Sequence, residues 1–319
     1  MKIIIFSNHL SSVPVIDYFN TQGFLKAVVS TDKLTGRNLG VSNFCETKSI
    51  TFIKVSRQNL LINVGQLFAE IQPDVVVMFG FSYHIPASLY EFPSLGFYNL
   101  HFSMLPAYRG PDPLFWQIKN GETSGGVSIH KVDVGFDTGD VVMQQSLTFI
   151  PGETWGIADA RFCATAINMI VQFIEQLNQL PATIQTLKHI NATSYHTRPD
   201  VNHLTINWDS QTAAQIENLV NASNPVYGGA ITTYRKQPVR IFEVSPVDAK
   251  GVPGVQPGTI IHADSSGLYV QCVDNNLLRI NVLSLNEGIM SGHKLVVLGA
   301  KKGEQFEVGE LVATLLDIN

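Results

Sequence analysis

The chain has 319 residues, 45% of them apolar and 15% charged. That is more than one hydrophobic core usually organises and the composition of packed protein, so two folded domains are expected and general disorder is excluded. The net charge of −5 divides as 12 basic against 14 acidic residues through Thr197 and 9 against 12 beyond it, so neither half has the cationic excess of a domain that grips many phosphates.

In chain order, residues 2–6 read as a buried strand. Their apolar run is too short for a signal segment or a membrane span, so no membrane attachment and a cytoplasmic location are expected. Residues 13–19 read as a helix, 24–29 and 51–55 as strands, 60–71 as a helix, and 74–79 (DVVVMF) and 97–101 as further strands. This alternation describes an α/β domain around a mostly parallel, Rossmann-like sheet. A dinucleotide site would carry Gly-x-Gly-x-x-Gly after the first strand. Here that turn reads Ser7-Asn8-His9-Leu10-Ser11-Ser12, and the P-loop signature is missing as well, so NAD, FAD and P-loop chemistry are set aside.

Residues 126–131 and 141–147 read as strands around a turn-rich loop, and 155–180 as a long helix stopped by Pro181. The expected first domain is 1–185, with a polar connector over 186–206 and a second domain over 207–319. In that second part a helix at 212–221 precedes strands at 230–234, 239–244, 258–262, 268–272 and 278–285, the spacing of a small OB-type β-barrel. Cys45, Cys163 and Cys272 are odd in number and lack metal-ligand spacing, so they read as buried thiols, and no metal is expected.

The unusual residues gather in two places. Asn99 and His101 end a strand, on the same face at period two, where sites form in open α/β sheets. Ser103, Leu105, Pro106, Arg109 and Gly110 follow them. The second segment, residues 132–140, sets Asp133, Asp137 and Asp140 among Gly135 and Gly139 between two strands, a shaped loop able to bring a carboxylate to a histidine.

An amide, an imidazole and a carboxylate suit acyl transfer to an amine. The imidazole moves protons near neutral pH, the carboxylate orients it, and an amide N–H stabilises a developing alkoxide by about 3 to 4 kcal/mol. Taken singly these residues have plainer readings. A lone histidine is commonly structural, Asp137 suits an Asx turn, Asp133 or Asp140 fits the acid's place, Arg109 fits a surface ion pair or the anion of an acceptor, and Phe115 and Trp116 fit a core helix.

The pattern N-x-H-x-S-x-L-P-x-Y-R-G from Asn99, followed by D-x-G-x-D-T-G-D from Asp133, closely resembles the folate-dependent formyltransferases. The likeness extends over nearly the whole chain, with I-N-W-D at residues 206–209 and N-P-x-x-G-G at 224–229 in its second part. The resemblance implies a formyltransferase domain followed by an OB-type domain, with Asn99 as oxyanion donor, His101 as the catalytic histidine and Asp137 as the essential acid. It implies 10-formyltetrahydrofolate as formyl donor, held largely through backbone around Met78, Phe79, Gly80, Phe81 and Tyr83 and around Val132, Val134, Gly135 and Phe136. The acceptor would be met by Ser103, Leu105, Pro106 and Arg109.

The methionyl-tRNA branch of this family carries a basic insertion after its second strand. This chain keeps Asp32, Lys33, Gly36 and Arg37 there and continues without further lysines through Phe44. A small amine such as a nucleotide-linked amino sugar is therefore the favoured acceptor, with methionyl-tRNA as the alternative. A 10-formyltetrahydrofolate hydrolase using water as acceptor and a non-catalytic OB-domain binding protein are the remaining readings. Oligomeric state is left open by the sequence.

Overall fold

Five consecutive buried side chains form β1 (Ile3–Ser7) of the computed structural model, which describes residues 1–33, 36–179 and 195–308. A strand that is apolar on both faces belongs inside a sheet covered on both sides. β1 lies between β2 (Leu25–Thr31) and β4 (Val75–Phe79), and β3 (Phe52–Val55) and β5 (Gly96–His101) extend the sheet on either side, all parallel. β6 (Ser124–Lys131) and β7 (Val141–Thr148) add antiparallel strands, giving the order β3-β2-β1-β4-β5-β6-β7. The chain winds outward from β1 to β3 and then returns to start β4, so the order reverses beside β1, the place where such sheets bind ligands.

The helices of the first half are α1 (Val13–Thr21), α2 (Gly36–Thr47), α3 (Leu60–Ile71), α4 (Ala87–Tyr90), α5 (Pro113–Lys119) and α6 (Trp155–Gln179). α3 buries Leu60, Val64, Leu67 and Phe68, one face at helical spacing. It is opened by a reciprocal pair, Ser56 N–H to Asn59 Oδ1 at 2.7 Å and Asn59 N–H to Ser56 Oγ at 3.2 Å, and closed by Gln72 at φ 53°. α6 is long and apolar enough to cross a membrane by length and composition. Its apolar residues Phe162, Ala166, Met169, Ile170, Phe173 and Leu177 are buried in the core, with Tyr98 edge-on to Phe173 at 4.7 Å.

Contacts gather the chain into two units. One comprises Met1–Pro113, Ser124–Thr148 and Asp159–Thr197; the other comprises Leu114–Thr123, Phe149–Ala158 and Arg198–Asn319. Residues 186–194 of the expected connector lie outside the described residues, as does Leu180 at the end of the expected long helix.

In the second unit α7 (Val201–Leu204) and α8 (Ala213–Ser223) each begin with a capping box, Asp200 with His203 and Thr212 with Gln215. Antiparallel strands follow: β8 (Ala230–Tyr234), β9 (Gln237–Lys250), β10 (Ile260–Asp264), β11 (Gly267–Gln271), β12 (Asn276–Leu285) and β13 (Gly288–Ser291). α9 (Gly292–Val297) and β14 (Phe306–Glu307) complete the order. The sheet runs β10-β11-β12-β9-β8-β14, with β13 on β12.

Its two ends meet: Ile260 N–H reaches Glu304 O and Phe306 N–H reaches Gly258 O, both at 2.8 Å. Gly258, at φ 84°, is required there, because a Cβ would stand 2.3 Å from Phe306 O. The sheet thus curls on itself around Trp208, Ile241, Val270, Leu278, Ile280 and Phe306, as the barrel pattern implied.

β9 is much longer than the expected strand at 239–244. It continues through Pro246, and its register against β12 shifts three times, the irregularity that lets a long strand bend around a small barrel. α2 had no counterpart in the sequence reading. Among its described side chains only Asn38, Val41 and Cys45 are buried, too few for a visible apolar period. The three cysteines are free and buried, and burial pushes the Cys45 thiol up to about 11.

Candidate active site

β5 sets the site. Its register places Asn99 across from Met78 on one side and from His130 on the other, with His101 across from Ser128. The loop after β6 delivers the acid. Val132 N–H donates to Phe97 O at 2.8 Å and Lys131 N–H to Asp140 O at 2.9 Å, which pins both ends of that loop. Asp133 accepts from Gly135 N–H at 3.1 Å and from the Thr138 hydroxyl at 2.5 Å, an Asx turn. Gly139 allows the close return, since a Cβ there would stand 1.9 Å from Lys131 O. Asp133 and the Asp140 carbonyl shape the loop, and Asp137, at φ 55°, is the acid that reaches the histidines. Tyr108 and Asp112, at φ 55° and 57°, are left-handed too, so strained backbone gathers in the two site loops.

Four side chains converge. Asp137 Oδ1 lies 3.6 Å from His101 Nδ1 and 3.4 Å from His130 Nε2, and accepts from Asn99 Nδ2 at 3.2 Å. Its Oδ2 accepts the Gly110 N–H at 2.9 Å. His101 Nε2 stands 2.8 Å from the Tyr108 carbonyl, which can only accept, so that nitrogen carries the proton and Nδ1 is the basic one. His130 Nδ1 likewise donates to Lys131 O at 2.7 Å, leaving Nε2 to accept from Asn99 Nδ2 at 3.1 Å. Both amide hydrogens of Asn99 are therefore engaged, one by His130 and one by Asp137.

Burial pulls the His101 pKa below the ordinary histidine value, against the upward pull of Asp137 and the Tyr108 carbonyl, so the imidazole is neutral at pH 7. Burial alone would raise Asp137. In the acid range, where the imidazoles are protonated, the charge of His101, the hydrogen bond and charge of His130 and the Gly110 N–H more than reverse this, and the carboxyl is held well below the usual carboxylate range.

Asn99, His101 and Asp137 thus come together as expected. His130, which completes the group, was missed; it lies in the strand just ahead of the Asp133 motif and outside it, and carried no signal beyond its residue type. Tyr108 and Gly110 contribute through backbone atoms that no sequence motif specifies.

The loop residues divide. Ser103 is wholly buried and its hydroxyl donates to Ala107 O at 2.6 Å, and Leu105 is buried as well; both side chains hold the loop. Pro106 and Arg109 are half-buried, and Arg109 Nε is buried without a hydrogen-bond partner among the described residues. Phe115 and Trp116 pack in the core of the second unit, Phe115 edge-on to Tyr227 at 5.3 Å and Trp116 edge-on to His203 at 4.8 Å.

Of the residues expected around the folate, Met78, Phe79 and Tyr83 are core side chains. The Tyr83 hydroxyl donates to Asp32 at 3.2 Å, and Phe81 packs edge-on to Phe6 at 5.1 Å. These positions therefore offer backbone to a ligand, with Gly80 exposed at φ 66°. Val132 is half-buried, Gly135 is enclosed by Thr138, and Val134 and Phe136 are 79% and 51% exposed. His84 joins the two segments, donating from Nε2 to Val134 O at 3.1 Å with Phe136 edge-on at 5.3 Å.

One group of metal-ligating side chains converges elsewhere among the described residues: His9, Asp159 and Cys163, with donor atoms within 4.8 Å of one another. There one carboxylate oxygen of Asp159 faces His9 Nε2 at 3.6 Å and accepts from the Cys163 thiol at 3.8 Å, a hydrogen-bonded cluster tying the end of β1 to α6.

A sheet whose reversal adjoins an imidazole, an amide and a buried carboxylate defines an acyl-transfer type of site. Residues 1–174 match the formyl transferase family model and residues 200–297 that of the formyl transferase C-terminal domain. The chain belongs to the formyl transferase family and is a formyltransferase.

Among curated relatives, methionyl-tRNA formyltransferase of Clostridioides difficile (strain 630) is 30% identical over 97% of this chain and 99% of its own length. That of Clostridium beijerinckii is 32% identical over 71% of this chain and 73% of its own. Among solved structures, the sugar 3N-formyl transferase WlaRD, determined with dTDP and 5-N-formyl-THF, superposes with TM-score 0.67 at 17% identity, covering 88% of this chain and 96% of that one. The N-formyltransferase from Helicobacter canadensis, in complex with folinic acid and dTDP-3-aminofucose, gives TM-score 0.67 at 16% identity over 88% and 98%. These two likenesses are of fold.

Proposed function

We propose that the enzyme moves the formyl group of 10-formyltetrahydrofolate to the primary amine of a small acceptor such as a nucleotide-linked amino sugar, in the cytoplasm. The observation that carries the chemistry is the single carboxylate of Asp137 shared by His101, His130 and Asn99. The backbone following β4 and the exposed Val134 and Phe136 would hold the folate, with His84 joining the two segments.

The acceptor nitrogen attacks the formyl carbon, and Asn99 stabilises the developing alkoxide with an amide hydrogen taken from His130 or Asp137. The attacking nitrogen passes a proton to His101 Nδ1, the basic nitrogen, and Asp137 stabilises the imidazolium so formed. Collapse forms the amide, breaks the bond to N10 of the folate and returns the proton to that nitrogen, leaving tetrahydrofolate.

The choice of a small acceptor rests on α2, whose residues 38–47 carry one acid and no base in the region where the methionyl-tRNA branch has its basic insertion. Arg109, with its buried unpaired Nε, suits an anionic group on such an acceptor. Methionyl-tRNA is the second reading, favoured by the relatives of that name that align along the whole chain.

Tetrahydrofolate release measured with a panel of nucleotide-linked amino sugars and small amines against methionyl-tRNA separates the readings. Release with a small amine is expected. Release with methionyl-tRNA alone overturns the acceptor class, and release without any acceptor marks a hydrolase.

A further inference from the structure

The tautomer of His101 that the mechanism needs is set by one backbone atom, the Tyr108 carbonyl at 2.8 Å from Nε2. That carbonyl is held by an unfavourable backbone, since Tyr108 is a bulky residue at φ 55°, a conformation that persists only where the surroundings over-determine it. The question is what over-determines the loop.

The answer lies under it, on β6 and β7. Ser128, fully buried and directly across the sheet from His101, donates its hydroxyl to Ser103 O at 2.6 Å and accepts the Leu105 N–H at 3.2 Å. Gln144 of β7, opposite Ser128 in the register, gives one amide hydrogen to Leu105 O at 2.9 Å and the other to Ser128 Oγ at 2.9 Å. A hydroxyl has one hydrogen and two lone pairs, and an amide has two hydrogens; here all are used, so the network is saturated and has one geometry. The Ser103 hydroxyl then carries the order forward to Ala107 O at 2.6 Å, adjoining Tyr108. From the other side the His196 ring stacks on Tyr108 at 5.1 Å, and His196 N–H binds Arg109 O at 2.9 Å.

We propose that Ser128 and Gln144 are positioning residues of the formyl transfer. Neither reaches the acid cluster. They lock residues 103–108 so that the Tyr108 carbonyl accepts the Nε2–H of His101 and leaves Nδ1 as the base. This inference rests on the assignment of His101 as the base, and its test separates the two.

The experiment uses the full chain with ¹⁵N-labelled histidine, in the wild type and in Ser128→Ala, Ser128→Thr, Gln144→Leu and His101→Ala. The His101 imidazole signals are identified by their loss in His101→Ala. In the wild type they should show the proton on Nε2. In Ser128→Ala and Gln144→Leu the Nε2-protonated pattern should give way to a mixture of tautomers, and kcat should fall at least about tenfold. KM for the formyl donor should stay within about threefold, because the loop after β4 and the Asp137 loop are untouched. Ser128→Thr keeps the hydroxyl and should retain both the tautomer and most of the rate.

Lowered thermal stability with an unchanged tautomer and unchanged kcat would reduce the network to a structural role and overturn the proposal. Full turnover by His101→Ala would instead overturn the assignment of the base, while the tautomer readout, which needs no activity, would still decide the positioning.

Discussion

Both units bury polar side chains, and they do so in opposite ways. In the C-terminal barrel Thr232 accepts from the Trp208 indole at 2.9 Å and donates to Glu307 O at 2.8 Å. Gln271 gives its amide hydrogens to Val252 O and Val255 O, both at 3.0 Å, and accepts the Val252 N–H at 2.8 Å. Both of these groups are neutral, and apart from the Asn275 side chain at 3.2 Å from Gln271 Nε2 their onward partners are backbone atoms. In the sheet domain two basic imidazole nitrogens face one carboxylate oxygen, and an amide is divided between a carboxylate and an imidazole. Buried polarity that is neutral and locally satisfied builds a fold. Buried polarity that is ionisable and shared holds protons that can move, which is what acyl transfer uses.

The largest expected break in this comparison is His101→Ala. Removing the proposed base should lower kcat by about 10²- to 10⁴-fold, with the folded state retained, read as tetrahydrofolate release beside a thermal melt. Turnover within a few-fold of wild type would move the base to His130.

Asp137→Asn sharpens it. Because the carboxylate raises the His101 pKa against the lowering by burial, its loss should shift the acid limb of the kcat/KM profile to lower pH while the rate falls. Stability should respond with a definite sign. A carboxyl held below its unfolded value, about 3.9, contributes stability that is complete above that value and is lost as pH falls through the folded one. Melts of the wild type should therefore lose temperature below about pH 4 more steeply than melts of the variant; parallel curves would mean that Asp137 is not held ionised by its neighbours.

The smallest effect on turnover is expected from Gln271→Leu. It leaves Val252 and Val255 carbonyls and the Val252 N–H without their partner and should cost about 1 to 3 kcal/mol of stability in denaturant unfolding. Turnover of the folded fraction should be unchanged, and a specific loss of kcat would bring the barrel into the catalytic account.

Much of this was available from local pattern. The apolar runs of β1 and β4 and the spacing of α3 follow from which faces must be buried, and their expected bounds differ from the observed ones by a residue or two. α2 escaped because three buried side chains, one of them an asparagine, make no visible period. β9 was cut short because Pro246 reads as a stop, whereas shifted register in a bent strand accommodates it.

The motif placed Ser103 and Leu105 on the site loop, but a motif gives order along the chain and no direction for a side chain. The folate expectation at Met78, Phe79 and Tyr83 concerned backbone, and their side chains belong to the core.

By itself the sequence determined that Asn99 and His101 share a face, since strand periodicity is local, and that a glycine-bearing acid loop stands between two strands. The conformational freedom of Gly139 and the Asx turn at Asp133 are local as well. Only the tertiary structure decided which acid meets the histidines and that His130 faces Asn99. Those outcomes depend on hydrogen bonds between groups 27 to 38 residues apart, from Gly110 and Asn99 to Asp137 and from Asn99 to His130. Sheet register sets such pairings, and register is a property of the packed whole, because a slip of one residue would turn each of these side chains to the opposite face.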